Sequence, residues 1–501
     1  MSVARFPRLL GAELRLVLRE RLTWAILAVL FAALCLAAWT GAERVARERT
    51  AIAAAADDSA RAIREARAAH ERYARPSPIK VNYWQDPTDA FGFMTYFLAA
   101  YAVKPPPPLA LLAAGQSDVQ PAVTKVSFGF STVFDDTAYE LGSAARLKLG
   151  PFDLAFVLVY LVPLAVIALA GTRLSAEQDA GILRMIAAQP VGPLRVAAAK
   201  FGAVALVAVT GVVGGTGLAL VLAGGLRQLA GWETTLALLA AALATYVLLW
   251  VAACALVASL WQGAVAALAI LVLAWAGITV VLPTGLGIAL DAVAPMPSRI
   301  AAIDASRQAQ ALFSTGEKGA RITAAWAARN VPDTAQRPDL VEAPEIKRLA
   351  RDAFYDEALA DHREAVREHA LAASAWSQHL ALLSPATILA IALETAAGTD
   401  AGRHVDFLTA GGTYRRQLRA FFEPRILAQA MNPVPVCAGC PARLNFDAYD
   451  AVPAFAPSMP RARRASGPGG ARLPLGRRPA ADRARFPSAH GMAVVMLSHQ
   501  S

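Results

Sequence analysis

Charge is missing from the longest apolar runs of this chain. The segments Leu22 to Thr40, Leu154 to Gly171, Phe201 to Leu222, Thr235 to Leu260 and Ala264 to Leu282 contain no Asp, Glu, Lys, Arg or His. Proton- and ion-coupled transporters usually keep titratable groups at membrane depth, so these runs lack the equipment for that chemistry. Hydrolytic and nucleotide-binding signatures are missing too. No GxxxxGK[ST], HExxH or GxSxG occurs anywhere, which removes the phosphate loop, the zinc-protease helix and the nucleophile elbow. Cysteine is scarce, at four in 501 residues. Cys35 and Cys254 fall inside apolar runs, where the thiol acts as a small apolar group. Cys437 and Cys440 form one CxxC, which cannot complete a four-ligand zinc site. In an oxidising compartment that pair is a candidate disulfide, a staple rather than a redox centre. No catalytic, cofactor-binding or metal-ligating set emerges, and the chain is expected not to be an enzyme.

What is present is hydrophobic length. Apolar residues make up 56% of the chain and the mean hydropathy is +0.42. A span needs about 20 mostly apolar residues, and five runs qualify. The expected fold class is therefore an all-α integral membrane protein with five transmembrane helices. A mainly helical outer domain, with room for some mixed α+β structure, should accompany them. The first run follows Arg5, Arg8, Arg15, Arg19 and Arg21 and is too long for a secretory leader. Trp39 near its end suits an interfacial anchor. It reads as an uncleaved helix with its N-terminus in the cytoplasm.

Alternation then divides the chain. Residues 1–21 lie inside, 22–40 cross the membrane, and 41–153 lie outside. Residues 154–282 form a four-helix block with an inner loop at 172–200; 283–455 lie outside and 456–501 form a tail. The inner loop has Arg173, Arg184, Arg195 and Lys200, while the short outer loop 223–234 has Arg227 alone, in keeping with the positive-inside bias of short loops. Beyond the first span, strong helix formers continue to the prolines at 76 and 78. The four prolines from Pro105 to Pro108 hold an extended segment. Farther on, a charged helical stretch runs from about Glu345 to Leu383. Ser384 caps and Pro385 opens a shorter helix to Ala397 whose apolar run is too short to span. The two outer segments are expected to pack as one domain. His362, Glu364, Glu368 and His369 read as a solvated helix face rather than a metal site.

The inner loop has the most organised pattern. Ser175 and Gln178 fit a capping box, Glu177 and Asp179 fall in the first turn, and Pro190 is the stop. This predicts an amphipathic helix of roughly 12 to 14 residues at the membrane surface. In the next span Gly211 and Gly215 make a small-xxx-small pattern suited to close helix approach, within one subunit or between two.

The segment Glu177-Gln-Asp-Ala-Gly-Ile-Leu-Arg-Met-Ile-Ala-Ala-Gln-Pro190 resembles the acid–glycine–leucine–proline pattern of membrane subunits in ABC-2 type transporters. The layout is similar as well: one span, a large outer insert, then four closely spaced spans. Tyr101 to Pro108, Ser384-Pro385 and Arg443 to Asp450 look like pieces of an uncharacterised subgroup with large extracytoplasmic segments. The resemblance covers about residues 10–455. It implies a permease subunit, an exporter, in the bacterial inner membrane and driven by a separate ATPase subunit. Ser175, Glu177, Gln178, Gly181, Leu183, Arg184 and Pro190 would form its coupling helix. It also implies partnership with a second permease, identical or not, within the lipid bilayer.

Such permeases end in a sixth span, and here the chain departs from them. From Pro457 onward there are six prolines and eight arginines against one acid, which supplies +7 of the formal charge of +10. Without apolar periodicity or an aromatic platform, this reads as a disordered tail, resembling a frameshifted end, and not as a nucleic-acid-binding arm. The competing reading of the whole chain is a membrane-anchored scaffold or sensor. Its outer domain would bind a partner while the spans merely hold it in place.

Overall fold

The computed structural model describes residues 6–74, 82–118, 120–128, 152–179, 181, 185, 192–224, 231–260, 263–293, 295–332, 334–431 and 445–457. A short helix, α1 (Phe6–Arg19), opens the chain. Leu10, Leu14 and Val17 recur on one side of it at helical spacing and pack into the bundle core, while Arg8, Arg15 and Arg19 face outward. That is the pattern of a helix lying in the membrane surface. After a break at Glu20, α2 (Arg21–Ala74) runs as one helix of 54 residues. At 1.5 Å per residue it is roughly 80 Å long, and the hydrocarbon core needs only about 30 Å of that. The remainder stands out from the membrane as a rod.

Four further helices complete the bundle. They are α4 (the continuous helical residues 154–170), α6 (Pro193–Gly224), α7 (Glu233–Leu260) and α8 (residues 264–293). Each is long and apolar enough to cross a membrane, as is α2, with the span that begins in α4 counted from Leu154 to Ser175. Helices are required there because lipid offers the backbone no hydrogen-bonding partners. The bundle's core contains Leu34, Leu154, Val204, Val247, Trp250 and Leu271, all nearly free of solvent contact. Two helices differ from expectation in length. α6 starts at Pro193 instead of Phe201, and α8 continues past Leu282 to Val293. The sequence boundaries follow apolarity, whereas a helix propagates into flanking polar residues as long as its backbone bonds remain satisfied.

Two of the spans contain a π-helical turn, Val157–Leu161 in α4 and Gly277–Val281 in α8. Such a turn loosens local backbone pairing and exposes carbonyls. Side chains from other helices meet three of them. Tyr246 Oη donates to Val159 O at 2.9 Å, Trp275 Nε1 to Tyr160 O at 3.1 Å, and Ser384 Oγ to Ile278 O at 2.9 Å.

Beyond the bundle, on the side opposite α1, stands a second unit. Here it is called the far face, and the α1 side the near face. The unit combines both chain segments expected outside. The first supplies α3 (Ala90–Gly92, with a π-turn Phe93–Phe97) and an antiparallel pair, β1 (Tyr101–Val103) and β2 (Val123–Lys125), in the register Tyr101↔Lys125. The second supplies α9 (Arg299–Ser314), α10 (Gly316–Asn330), α11 (Asp339–Glu342), α12 (Pro344–Ala358), α13 (Ala360–Ala381), α14 (Pro385–Ala397) and α15 (Ala401–Met431). Their shared core is aromatic: Phe93 lies within 6.0 Å, ring to ring, of Phe422, Phe446 and Tyr449. Asp356 on α12 accepts from Arg363 on α13 and from Arg415 and Arg419 on α15. Burial pushes its carboxyl up, but the guanidinium of Arg415 beside it, reinforced by Arg363, brings it below the ordinary carboxylate range. The single charged stretch expected from Glu345 to Leu383 is two helices, joined at Leu359.

One helix of this unit enters the bundle. Ala386, Leu389, Leu393 and Ala397 place one side of α14 in the membrane core cluster. Its Ser384 cap accepts from Thr387 N, with Pro385 in the first helical position.

Candidate functional site

The near face joins four helices through charge. Between α4 and α6 lies α5 (Arg173–Asp179). Glu177 accepts from Lys200 Nζ at 2.7 Å, and the same ammonium lies 3.0 Å from Glu13 on α1. Lys200 is only 8% exposed. A buried lysine is tolerated when carboxylates neutralise it, and two do so here. Arg173 pairs with Glu20 in the break between α1 and α2, and its Nε donates to Leu169 O at 2.6 Å. Asp179 Oδ2 accepts from Ala264 N at 3.0 Å and so caps the start of α8. Through these residues α5 is tied to α1, α2, α6 and α8.

The loop's helix differs from the one expected. Ser175 is the third helical residue, not a cap, and its Oγ is buried without a hydrogen-bonding partner among the described residues. Glu177 and Asp179 stand in the last turn rather than the first. The helix follows α4 almost without interruption, so it needs no new N-cap. It ends before Gly181, whose φ of +73° is a left-handed conformation that glycine adopts without strain. Gln178 falls within α5, and Met185 farther along is 72% exposed. Leu183, Arg184 and Pro190 lie outside the described residues.

Gly211 and Gly215 face α2 within the same chain. A β-carbon on Gly211 would stand 2.8 Å from Leu27 Cδ2, and one on Gly215 would stand 3.3 Å from Leu34 Cδ1. The Cys437–Cys440 pair lies outside the described residues, as does the tail from residue 458. No group of three or more metal-ligating side chains occurs among the described residues. Glu364 on α13 pairs with Arg367 at the surface.

Sequence reasoning missed α1 as a structural element. Its signal was present in Leu10, Leu14 and Val17 with intervening arginines, but the stretch reads equally well as a basic leader to the first span.

Residues 128–280 match the family described as ABC-2 family transporter protein, and residues 305–432 match a domain of unknown function, DUF3526. The first match covers the four closely spaced spans and α5; the second covers most of α9 to α15. No curated protein and no solved structure matches the chain. The chain is a multi-pass, all-α membrane protein that resembles the permease-type membrane subunits of ABC-2 transporters.

Proposed function

We propose that this chain is the permease subunit of an ATP-binding-cassette exporter, powered by a separate ATPase subunit that docks on the near face. The near face is then cytoplasmic, the far-face unit is extracytoplasmic, and two permeases assemble in the inner membrane around one transport path. The observation that supports this most is the linkage of α5. Force applied to α5 reaches α6 through Glu177–Lys200, α1 through Glu13, and α8 through the Asp179 cap. The uncharged spans also favour an external energy source, since ion-coupled carriers depend on titratable groups within the membrane.

Co-purification tests the reading directly. A stoichiometric nucleotide-binding subunit is expected with the full chain. Met185→Glu, at an exposed position, should leave the chain folded while lowering ATPase stimulation by about tenfold or more. Wild-type stimulation in that variant would remove the docking assignment. Recovery of a partner bound to the far-face unit, with no ATPase, would favour a scaffold.

A further inference from the structure

Lys104 follows β1 and is as buried as Lys200, at 8% exposure. Its backbone N donates to Ala122 O at 2.8 Å, which fixes the strand end. Its ammonium lies 5.7 Å from the centre of the Phe407 ring. Among the described residues it has no hydrogen bond or ion pair. His404, one turn before Phe407 on α15, has a buried Nδ1 that is also without a partner.

The surrounding charges balance one another and leave the Lys104 charge uncompensated. The charged groups facing Lys104 are Arg44 and Glu48 from α2, and Asp400 and Arg403 from the start of α15. Arg44 is committed to Glu48 at 2.7 Å and to the carbonyls of Ala110 and Ala113. Arg403 donates to Gly398 O and Pro105 O, while Asp400 Oδ1 accepts from Arg403 N. With Lys104 the cluster holds three cations and two acids, and the acids are engaged with Arg44 and with the Arg403 amide. Burial, then the Arg403 charge, pulls the Lys104 ammonium down to about 8. Burial, then Lys104, pulls the His404 imidazole down to about 4. An unpaired buried cation destabilises a fold, and departures of that kind are expected at functional sites.

We propose that Lys104, His404 and Arg403 form a receptor site for a phosphate-type oxyanion at the far face. Lys104 supplies three unused donors, Arg403 keeps guanidinium N–H groups beyond those it spends on carbonyls, and the His404 ring supplies one more. A tetrahedral anion with several acceptor oxygens fits that donor set. Arg403 and His404 are only partly buried, which keeps the site within reach of solvent. Its height suggests where the anion comes from. Arg44, which shares the cluster, stands five residues beyond Trp39 on α2, about 7.5 Å along the axis. That is headgroup depth if Trp39 marks the interface, so the phosphodiester of an anionic phospholipid and free phosphate present the same chemistry there.

The test uses the full-length chain purified in a neutral maltoside detergent, and it requires neither ATPase nor transport, so its outcome is independent of the transport reading. Thermal unfolding is followed with inorganic phosphate against chloride at matched ionic strength. It is then repeated in nanodiscs of phosphatidylglycerol against phosphatidylcholine. A rise in Tm with phosphate identifies free anion as sufficient, whereas a rise in phosphatidylglycerol alone identifies a lipid headgroup. In either case Lys104→Met should abolish the rise, Lys104→Arg should keep most of it, and His404→Gln should weaken anion affinity about tenfold. Lys104→Met should also raise Tm without anion, because it removes a buried unpaired charge. No anion-dependent shift from either source would overturn the site. So would a Lys104→Met variant that loses stability equally with and without anion, since that is the signature of a purely structural lysine.

Discussion

Lys200 and Lys104 are equally buried, one on the near face and one on the far face, yet one is paired with two carboxylates and the other, among the described residues, with none. The near face is closed electrostatically: Lys200 with Glu13 and Glu177, Arg173 with Glu20, Asp179 on the Ala264 amide. The far face meets the bundle through close backbone approach and caps, and the charge of Lys104 there is left without an ion pair among the described residues. Under the proposed function, a face that passes force between helices benefits from strong, specific pairs. A face that meets solutes or lipid can keep unsatisfied donors at a cost in stability.

The largest effect should come from Lys200→Met. It leaves Glu13 and Glu177 half-buried beside an apolar side chain, and breaking a buried pair by removing one partner typically costs about 3–5 kcal/mol. Thermal unfolding in detergent should show a severe loss. Adding Glu13→Gln and Glu177→Gln to Lys200→Met should restore much of it, because the stranded charges are then gone. If Lys200→Met were as mild as an exposed substitution, the near face would not be held by this triad.

On the far face the comparable anchor is steric. A β-carbon on Gly41 of α2 would clash with the backbone oxygen of Leu111, whereas one on Gly211 meets only the flexible tip of Leu27. Gly41→Ala must displace the 109–113 segment, whose residues belong to the bundle core, and overpacking of this kind costs about 1–3 kcal/mol. Gly211→Ala should cost less than half as much. Equal Tm losses for the two would show that the Leu111 contact yields easily.

Legibility in the sequence follows the same division. The five spans were readable because lipid permits so few alternatives: apolar length alone predicts a helix. The cap at Ser384 was readable from a local Ser-Pro pair. The α5 break was not, because Ser175 and Gln178 imitate a capping box while Gly181 is what ends the helix. The charge triad was equally hidden. Glu13, Glu177 and Lys200 are distant in sequence, and only tertiary packing brings them together. Lys104 gave no warning at all, since a lone lysine after a short strand ordinarily faces water.

A pH dependence should separate the faces next. Burial, then the nearby charges of Asp153 and Asp400, raises the Glu394 carboxyl on α14 to about 7. A carboxyl whose folded value lies above its unfolded one holds its proton more tightly in the native state. Its stabilising contribution is thus complete below about 4.5 and declines as pH rises toward 7. Stability should fall by on the order of 1–3 kcal/mol across that window. Glu394→Gln should flatten that part of the profile, while wild-type slope in the variant would assign it to another group.

The smallest expected effect concerns how the far-face unit holds the bundle. Ser384 Oγ both caps α14 and donates to Ile278 O within the π-turn of α8. Ser384→Ala removes the cap, worth about 1 kcal/mol, and leaves a partly buried carbonyl with one partner fewer. Ser384→Thr should retain both bonds, because its hydroxyl can occupy the same position. The two substitutions should therefore differ by about 1–2 kcal/mol in unfolding. Hydrogen exchange offers a second reading: amides of α14 and of residues 277–281 should lose protection together in Ser384→Ala if the unit and the bundle open as one. Loss confined to α14 would mean that the π-turn of α8 keeps its geometry without Ser384. The far-face unit would then rest on the bundle through the apolar side of α14 alone.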